Sequence, residues 1–197
     1  IILATGFKDF DPSRTPELNY GKLPNVLTAL EFERLINASG PTNGKVLLKN
    51  GKPPRSVALI HCVGSRDARY HEYCSRACCM YSLKLSQLVH EYVGAEVHEI
   101  YRDMRSFGKG YEEFYNRTEN MGVHFYHGKV KSIKKNGGKL RVSWDESFHG
   151  QPDQVDVEMV VLATGFEPQA DAGAVAAQFG ISRSRDGAAC LSRSSKV

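Results

Sequence analysis

The sequence predicts an α/β domain of the nucleotide-binding type. Three observations carry that prediction. Short apolar runs alternate with amphipathic helical segments, and a Gly-Gly turn signal marks a hairpin in the second half. One apolar signature also occurs twice, as Ile2-Leu3-Ala4-Thr5-Gly6-Phe7 and as Val161-Leu162-Ala163-Thr164-Gly165-Phe166.

In chain order, Ile1-Ile2-Leu3 reads as the end of a buried strand running into a tight turn at Thr5-Gly6. A Pro/Gly/Asn-rich connector follows over about 8–26. Thr28 and Glu31 have capping-box spacing for a helix through about Asn37, with Leu27, Leu30, Phe32, Leu35 and Ile36 as its inward stripe. The Gly- and Pro-rich stretch 38–55 reads as a loop and a domain boundary. Ser56–Val63 is a buried strand, and 75–93 a helix with Tyr81, Leu85, Leu88, Val89 and Tyr92 on one face and Gly94 past its end. Glu96–Tyr101 is a strand, 110–120 a helix and 123–126 a strand. Residues 129–145 form a hairpin around Asn136-Gly137-Gly138, and 156–163 is a last apolar strand.

The bulk numbers exclude several classes. Hydrophobic residues at 41% of 197 supply a core for one domain, or one domain with part of another. A net charge of +4 without a long basic run makes nucleic acid a poor partner. No apolar stretch approaches the roughly 20 residues of a membrane span. The opening residues lack the basic flank of a signal peptide, and with no initiator Met the chain reads as a piece of something longer. Five cysteines, two of them adjacent, do not read as a secreted disulfide framework; a reduced, intracellular, metal-associated setting fits better.

The first βα turn of a dinucleotide domain carries G-x-G-x-x-G, so that backbone can approach a pyrophosphate at a helix N-terminus. After 56–63 this chain reads His61-Cys62-Val63-Gly64-Ser65-Arg66-Asp67, with Gly64 alone remaining. Arg102, Asp103 and Arg105 follow the second strand, where a ribose or 2′-phosphate would be read, but a solvated charged face explains them better. In place of the glycines stand Cys62, Cys74, Cys78 and Cys79, four cysteines in eighteen residues on one βα junction. Cys74 and Cys78, four apart, are expected on one helical face. Thiolates converging there fit a [4Fe–4S] cluster, zinc, or a redox-active pair. The spacing is not C-x-x-C-x-x-C, which excludes a ferredoxin-type motif. Cys190, in a Ser/Arg-rich tail, stands apart.

The paired Ala-Thr-Gly turns resemble those of the two-dinucleotide-domain flavoproteins related to thioredoxin reductase. There, one such turn closes the first flavin segment and the other returns the chain from an inserted pyridine-nucleotide domain. The resemblance implies a Rossmann-like three-layer domain with a β-meander, inserted beside a flavin. It divides the chain into a partial flavin-domain segment and connector (1–55), the inserted domain (56–165) and a return segment and tail (166–197). It also implies that Thr5, Gly6, Thr164 and Gly165 lie beside FAD. The runs around Cys62 and from Tyr73 to Tyr81, with Phe10-Asp11-Pro12-Ser13 and Phe107-Gly108-Lys109-Gly110-Tyr111, resemble the A-subunit family of heterodisulfide reductase over about 1–170. That resemblance implies that the four cysteines hold an unusual [4Fe–4S] cluster next to FAD. It further implies partner redox subunits in a cytoplasmic complex of an anaerobe, with a homodimer also open. His61 stands where the family often has Gln. An NAD(P)H-dependent disulfide reductase using Cys78 and Cys79 is the first alternative, and a zinc-bound docking module the second. The piece by itself is expected to hold FAD weakly and to lack activity.

Overall fold

The computed structural model describes residues 2–146 and 154–188. Its elements are β1 (Phe7–Asp9), β2 (Val26–Thr28), α1 (Ala29–Ile36), β3 (Ser56–Val63), α2 (Cys78–Val93), β4 (Glu96–Tyr101), α3 (Tyr111–Asn120), β5 (His124–Asn136), β6 (Lys139–Glu146), β7 (Gln154–Val157), β8 (Met159–Thr164), β9 (Phe166–Pro168) and α4 (Ala172–Gln178). Two 3-10 turns, Pro12–Arg14 and Pro16–Leu18, lie between β1 and β2.

The fold is α/β, as expected. One seven-stranded sheet runs in the order β2-β8-β3-β4-β5-β6-β7, and β1 pairs with β9 in a separate antiparallel ribbon. β2, β8, β3, β4 and the first part of β5 are parallel, while β5, β6 and β7 form an antiparallel meander. The central strand is an unbroken apolar run because both of its faces are covered. Val57 and Leu59 point to one face, where Phe32 of α1 and Leu85 and Val89 of α2 bury them. Ala58 and Ile60 point to the other, under Phe10, Leu18, Trp144 and Val157. Helices, sheet and meander thus make three layers. From β3 the chain continues to β4 on one side, while β8 and β2 flank it on the other. The strand order therefore reverses beside β3, and such a switch point is the usual place for a bound group.

Several boundaries differ from the sequence expectation. Residues 2–6 form no strand: Ile2 is 93% exposed, and no strand of the described chain lies beside it to satisfy its backbone. The helix expected from 75 starts at Cys78, because Arg76 takes a left-handed backbone (φ +63°) that cannot join an α-helix. The strand 123–126 and the first arm of the hairpin are one thirteen-residue strand, bent by a bulge between Val130 and Ser132. The apolar run 156–163 is split into β7 and β8. Leu30 and Tyr92, expected inward, are exposed. Among the described residues no helix is long and apolar enough to cross a membrane. Cys190 and 189–197 lie outside the described residues.

Candidate metal centre

The turn leaving β3 positions the first cysteine. Its pairing with β8 shifts register between Ile60 and Val63, and Cys62 in that bulge has φ +59°. A left-handed non-glycine residue costs free energy and is retained where surrounding contacts impose it. Gly64 follows with φ +76°, and a Cβ there would lie 2.2 Å from the Phe10 ring. The retained glycine therefore serves packing against Phe10. Cys78 and Cys79 open α2 and are buried.

These three thiols form one knot. Cys78 neighbours both Cys62 and Cys79, and their influence, with burial, holds its own proton on tightly. The contact with Cys78, against burial, lowers Cys62 to about 6, helped by the charges of His61 and Arg66. The contact on the other side lowers Cys79 to about 4, again against burial and with His61 assisting. The Cys79 sulfur also lies 3.7 Å from the Asp103 carbonyl oxygen. Beneath the knot, His61 Nε2 meets Glu99 Oε2 at 2.8 Å, and both side chains are essentially inaccessible. The Ser86 hydroxyl bonds the other Glu99 oxygen. Burial disfavours the His61 cation, but Cys79 and Glu99 overcome it and raise the imidazole to about 10. No hydrogen bond of ordinary geometry joins His61 Nδ1 to Cys79, and that nitrogen is buried without a partner. Ser65 Oγ and Arg66 Nη1, on the same turn, are buried and unpaired as well.

Cys74 is not part of the knot. It precedes α2, so it does not share a helix face with Cys78. Its sulfur accepts from the Arg76 N–H at 3.3 Å, and the residue lines a cleft of about 510 Å³. Among the described residues, no three His, Cys, Asp or Glu side chains stand around one point closely enough to hold a single metal ion.

The repeated turn becomes a physical pair. β1 and β9 run antiparallel, with Phe7 stacked on Phe166 at 4.0 Å between ring centres. Thr5 and Gly6 line the same cleft as Cys74. Thr164 and Gly165 do not line it. Thr164 is buried opposite Val63, and its carbonyl accepts from the Tyr81 hydroxyl. Gly165 donates to the Val63 carbonyl at 2.7 Å and accepts from the Phe10 N–H at 2.8 Å.

No family profile matches the chain. Individual relatives do. The chain is 45% identical over 192 residues to the A subunit of the H(2):CoB-CoM heterodisulfide,ferredoxin reductase of Methanothermobacter marburgensis, covering 95% of this chain and 29% of that protein. It is 42% identical over 190 residues to the A subunit of the ferredoxin:CoB-CoM heterodisulfide reductase of Methanosarcina mazei, covering 94% and 24%. The second of two iron-sulfur A subunits described for the CoB--CoM heterodisulfide reductase of Methanopyrus kandleri is 42% identical over 193 residues, covering 95% and 29%. This chain belongs to the A-subunit family of heterodisulfide reductase. It spans less than a third of the length of these relatives. A pyridine nucleotide-disulfide family oxidoreductase from Enterococcus faecalis shares the fold, with a TM-score of 0.53 at 12% identity, covering 95% of this chain and 35% of that one.

In this member of the heterodisulfide reductase family, the residues at the dinucleotide positions are engaged internally. Asp103 pairs with Arg66, and Arg102 donates to the Arg66 carbonyl. Phe10 covers Gly64. Sequence reading missed the His61–Glu99 pair, for which a charged residue inside an apolar strand was the available signal. It also missed Phe10, which resembles any connector aromatic until the turn folds under it.

Proposed function

We propose that this chain is an electron-transfer segment of an FAD- and [4Fe–4S]-dependent oxidoreductase, with Cys62, Cys74, Cys78 and Cys79 holding the cluster. The observation that carries the reading is the knot of Cys62, Cys78 and Cys79 at the switch point, ringed by buried unpaired polar groups. Four thiols suit iron and sulfide. The unpaired groups, Ser65 Oγ and Arg66 Nη1, carry hydrogens that sulfide acceptors would satisfy. A cluster is wider than one ion, so its four thiolate ligands would be spaced more widely than those of a single zinc ion. A zinc site would draw four donors around a single centre, an arrangement that the described residues do not hold ready. When bound, the cluster supplies one-electron transfer.

Thr5 and Gly6 would lie against the flavin in the cleft, while Thr164 and Gly165 shape the backbone behind it. Redox partner subunits and a cytoplasmic location complete the reading.

Anaerobic reconstitution with iron and sulfide, followed by metal analysis and EPR of the reduced protein, tests it. About four irons and four sulfides per chain are expected, falling sharply in Cys78→Ser. Stoichiometric zinc with no iron uptake would sink the proposal.

A further inference from the structure

The segment 66–77 contains neither helix nor regular strand, yet it carries the fourth cysteine. Its first half is tied to the β3 turn and the connector, with the Arg66 N–H donating to the Tyr73 carbonyl at 3.0 Å and the Tyr70 hydroxyl to the Arg14 carbonyl at 2.8 Å. The part around Cys74 is docked on β9. The residues on either side of Cys74 both bond to Phe166. Tyr73 donates its hydroxyl to the Phe166 carbonyl at 2.7 Å, and the Phe166 N–H donates to Ser75 Oγ at 2.9 Å. Three residues before Cys74, His71 Nε2 meets Glu167 Oε1 at 2.6 Å, and Arg14 Nη1 donates to that same oxygen at 2.7 Å. The His71 and Tyr73 rings stack at 4.9 Å, joining the two anchors. Cys62, Cys78 and Cys79 are instead placed by β3 and α2. The four cysteines therefore hang from two different supports.

We propose that β9 is the positioning element for Cys74. Tyr73, Ser75 and the His71–Glu167 pair dock the loop on Phe166 and Glu167, so the ligand set is complete only while the β1–β9 ribbon holds its register. This rests on the cluster reading above. It adds that the ribbon, through which the chain passes into and out of the α/β body, sets whether the fourth ligand is in place. Tyr73, Ser75 and Glu167 are positioning residues that act on the ligand set through Cys74.

The test begins with the metal-free chain, so that it does not depend on the cluster. Site-resolved alkylation by iodoacetamide is followed by mass spectrometry in the starting protein, in a Tyr73→Phe/Ser75→Ala double variant and in Glu167→Gln. Cys74 is expected to react about thirtyfold faster in the double variant, the factor that two lost hydrogen bonds supply, with Cys62, Cys78 and Cys79 unchanged. Glu167→Gln, which keeps an acceptor oxygen, is expected to show a smaller rise. After anaerobic reconstitution, the double variant should retain about three irons per chain or fewer, against about four in the starting protein. Unchanged Cys74 reactivity overturns the inference, as does an equal rise at all four cysteines in both variants. Failure of the starting protein to take up iron, with the alkylation contrast intact, sinks the cluster reading but leaves β9 as the support of Cys74.

Discussion

Single residues around the β3–α2 turn are held in conformations their side chains would not choose alone. Cys62, Arg66 and Arg76 all have positive φ. Gly64 combines a left-handed backbone with a ring where a Cβ would be. Gly64→Ala is expected to cost about 3 kcal/mol, summing overpacking and backbone strain. Urea denaturation followed by fluorescence of the single, buried Trp144 measures it. Glu99→Leu is expected to cost a similar amount, about 3 kcal/mol, because His61 is left buried with its charge uncompensated; the same denaturation series reads it. Glu167 sets a pH dependence. Burial raises its carboxyl, but His71 and Arg14 prevail and hold it below the ordinary glutamate value. Its contribution is therefore fully present above the ordinary glutamate range and lost as pH falls through the lowered folded value. Glu167→Gln should lower stability near neutrality and flatten the acid limb of a stability–pH curve, so that the two proteins converge at low pH. Parallel acid limbs in the two proteins would contradict this.

At the scale of elements, the legible features were those that local chemistry dictates. Thr28 and Glu31 form the reciprocal cap read from their spacing, with Thr28 N donating to Glu31 Oε2 at 2.7 Å and Glu31 N donating to Thr28 Oγ1 at 3.2 Å. Thr28→Ala should lower stability by about 1 kcal/mol, measured by thermal denaturation. Gly94 closes α2 in the left-handed conformation with its N–H on the His90 carbonyl, as a glycine after a helix implies. Ser56–Val63 and Glu96–Tyr101 are strands over the residues their apolar runs mark. Elements that depend on a distant partner were not legible. β2 exists because β8 lies beside Val26, Leu27 and Thr28, and three residues carry no periodicity of their own. β5 is continuous because its first half pairs with β4 and its second with β6, so two local signals merged into one strand. The onset of α2 moved from 75 to 78 through the backbone of Arg76, which no composition rule signals.

At the scale of the whole molecule, the sheet order brings the turn after β3 against the turn after β8, and the connector packs beneath both. That arrangement fills the dinucleotide positions from within, with Phe10 over Gly64 and Arg66 on Asp103. Titration with NADH or NADPH is accordingly expected to give no saturable binding in the micromolar range by calorimetry. Micromolar binding would restore the NAD(P)H-dependent disulfide reductase reading. The sequence by itself determined the α/β class, most of the strands and helices, and the crowding of four cysteines on one βα junction, because periodicity, caps and spacing are properties of neighbouring residues. Only the tertiary structure decided how those cysteines divide. Cys62, Cys78 and Cys79 meet because β3 and α2 cross at the sheet's end, and Cys74 stands apart because its neighbours bond to Phe166, about ninety residues along the chain. Contacts at that separation depend on where the sheet brings β9, and local pattern contains no record of it.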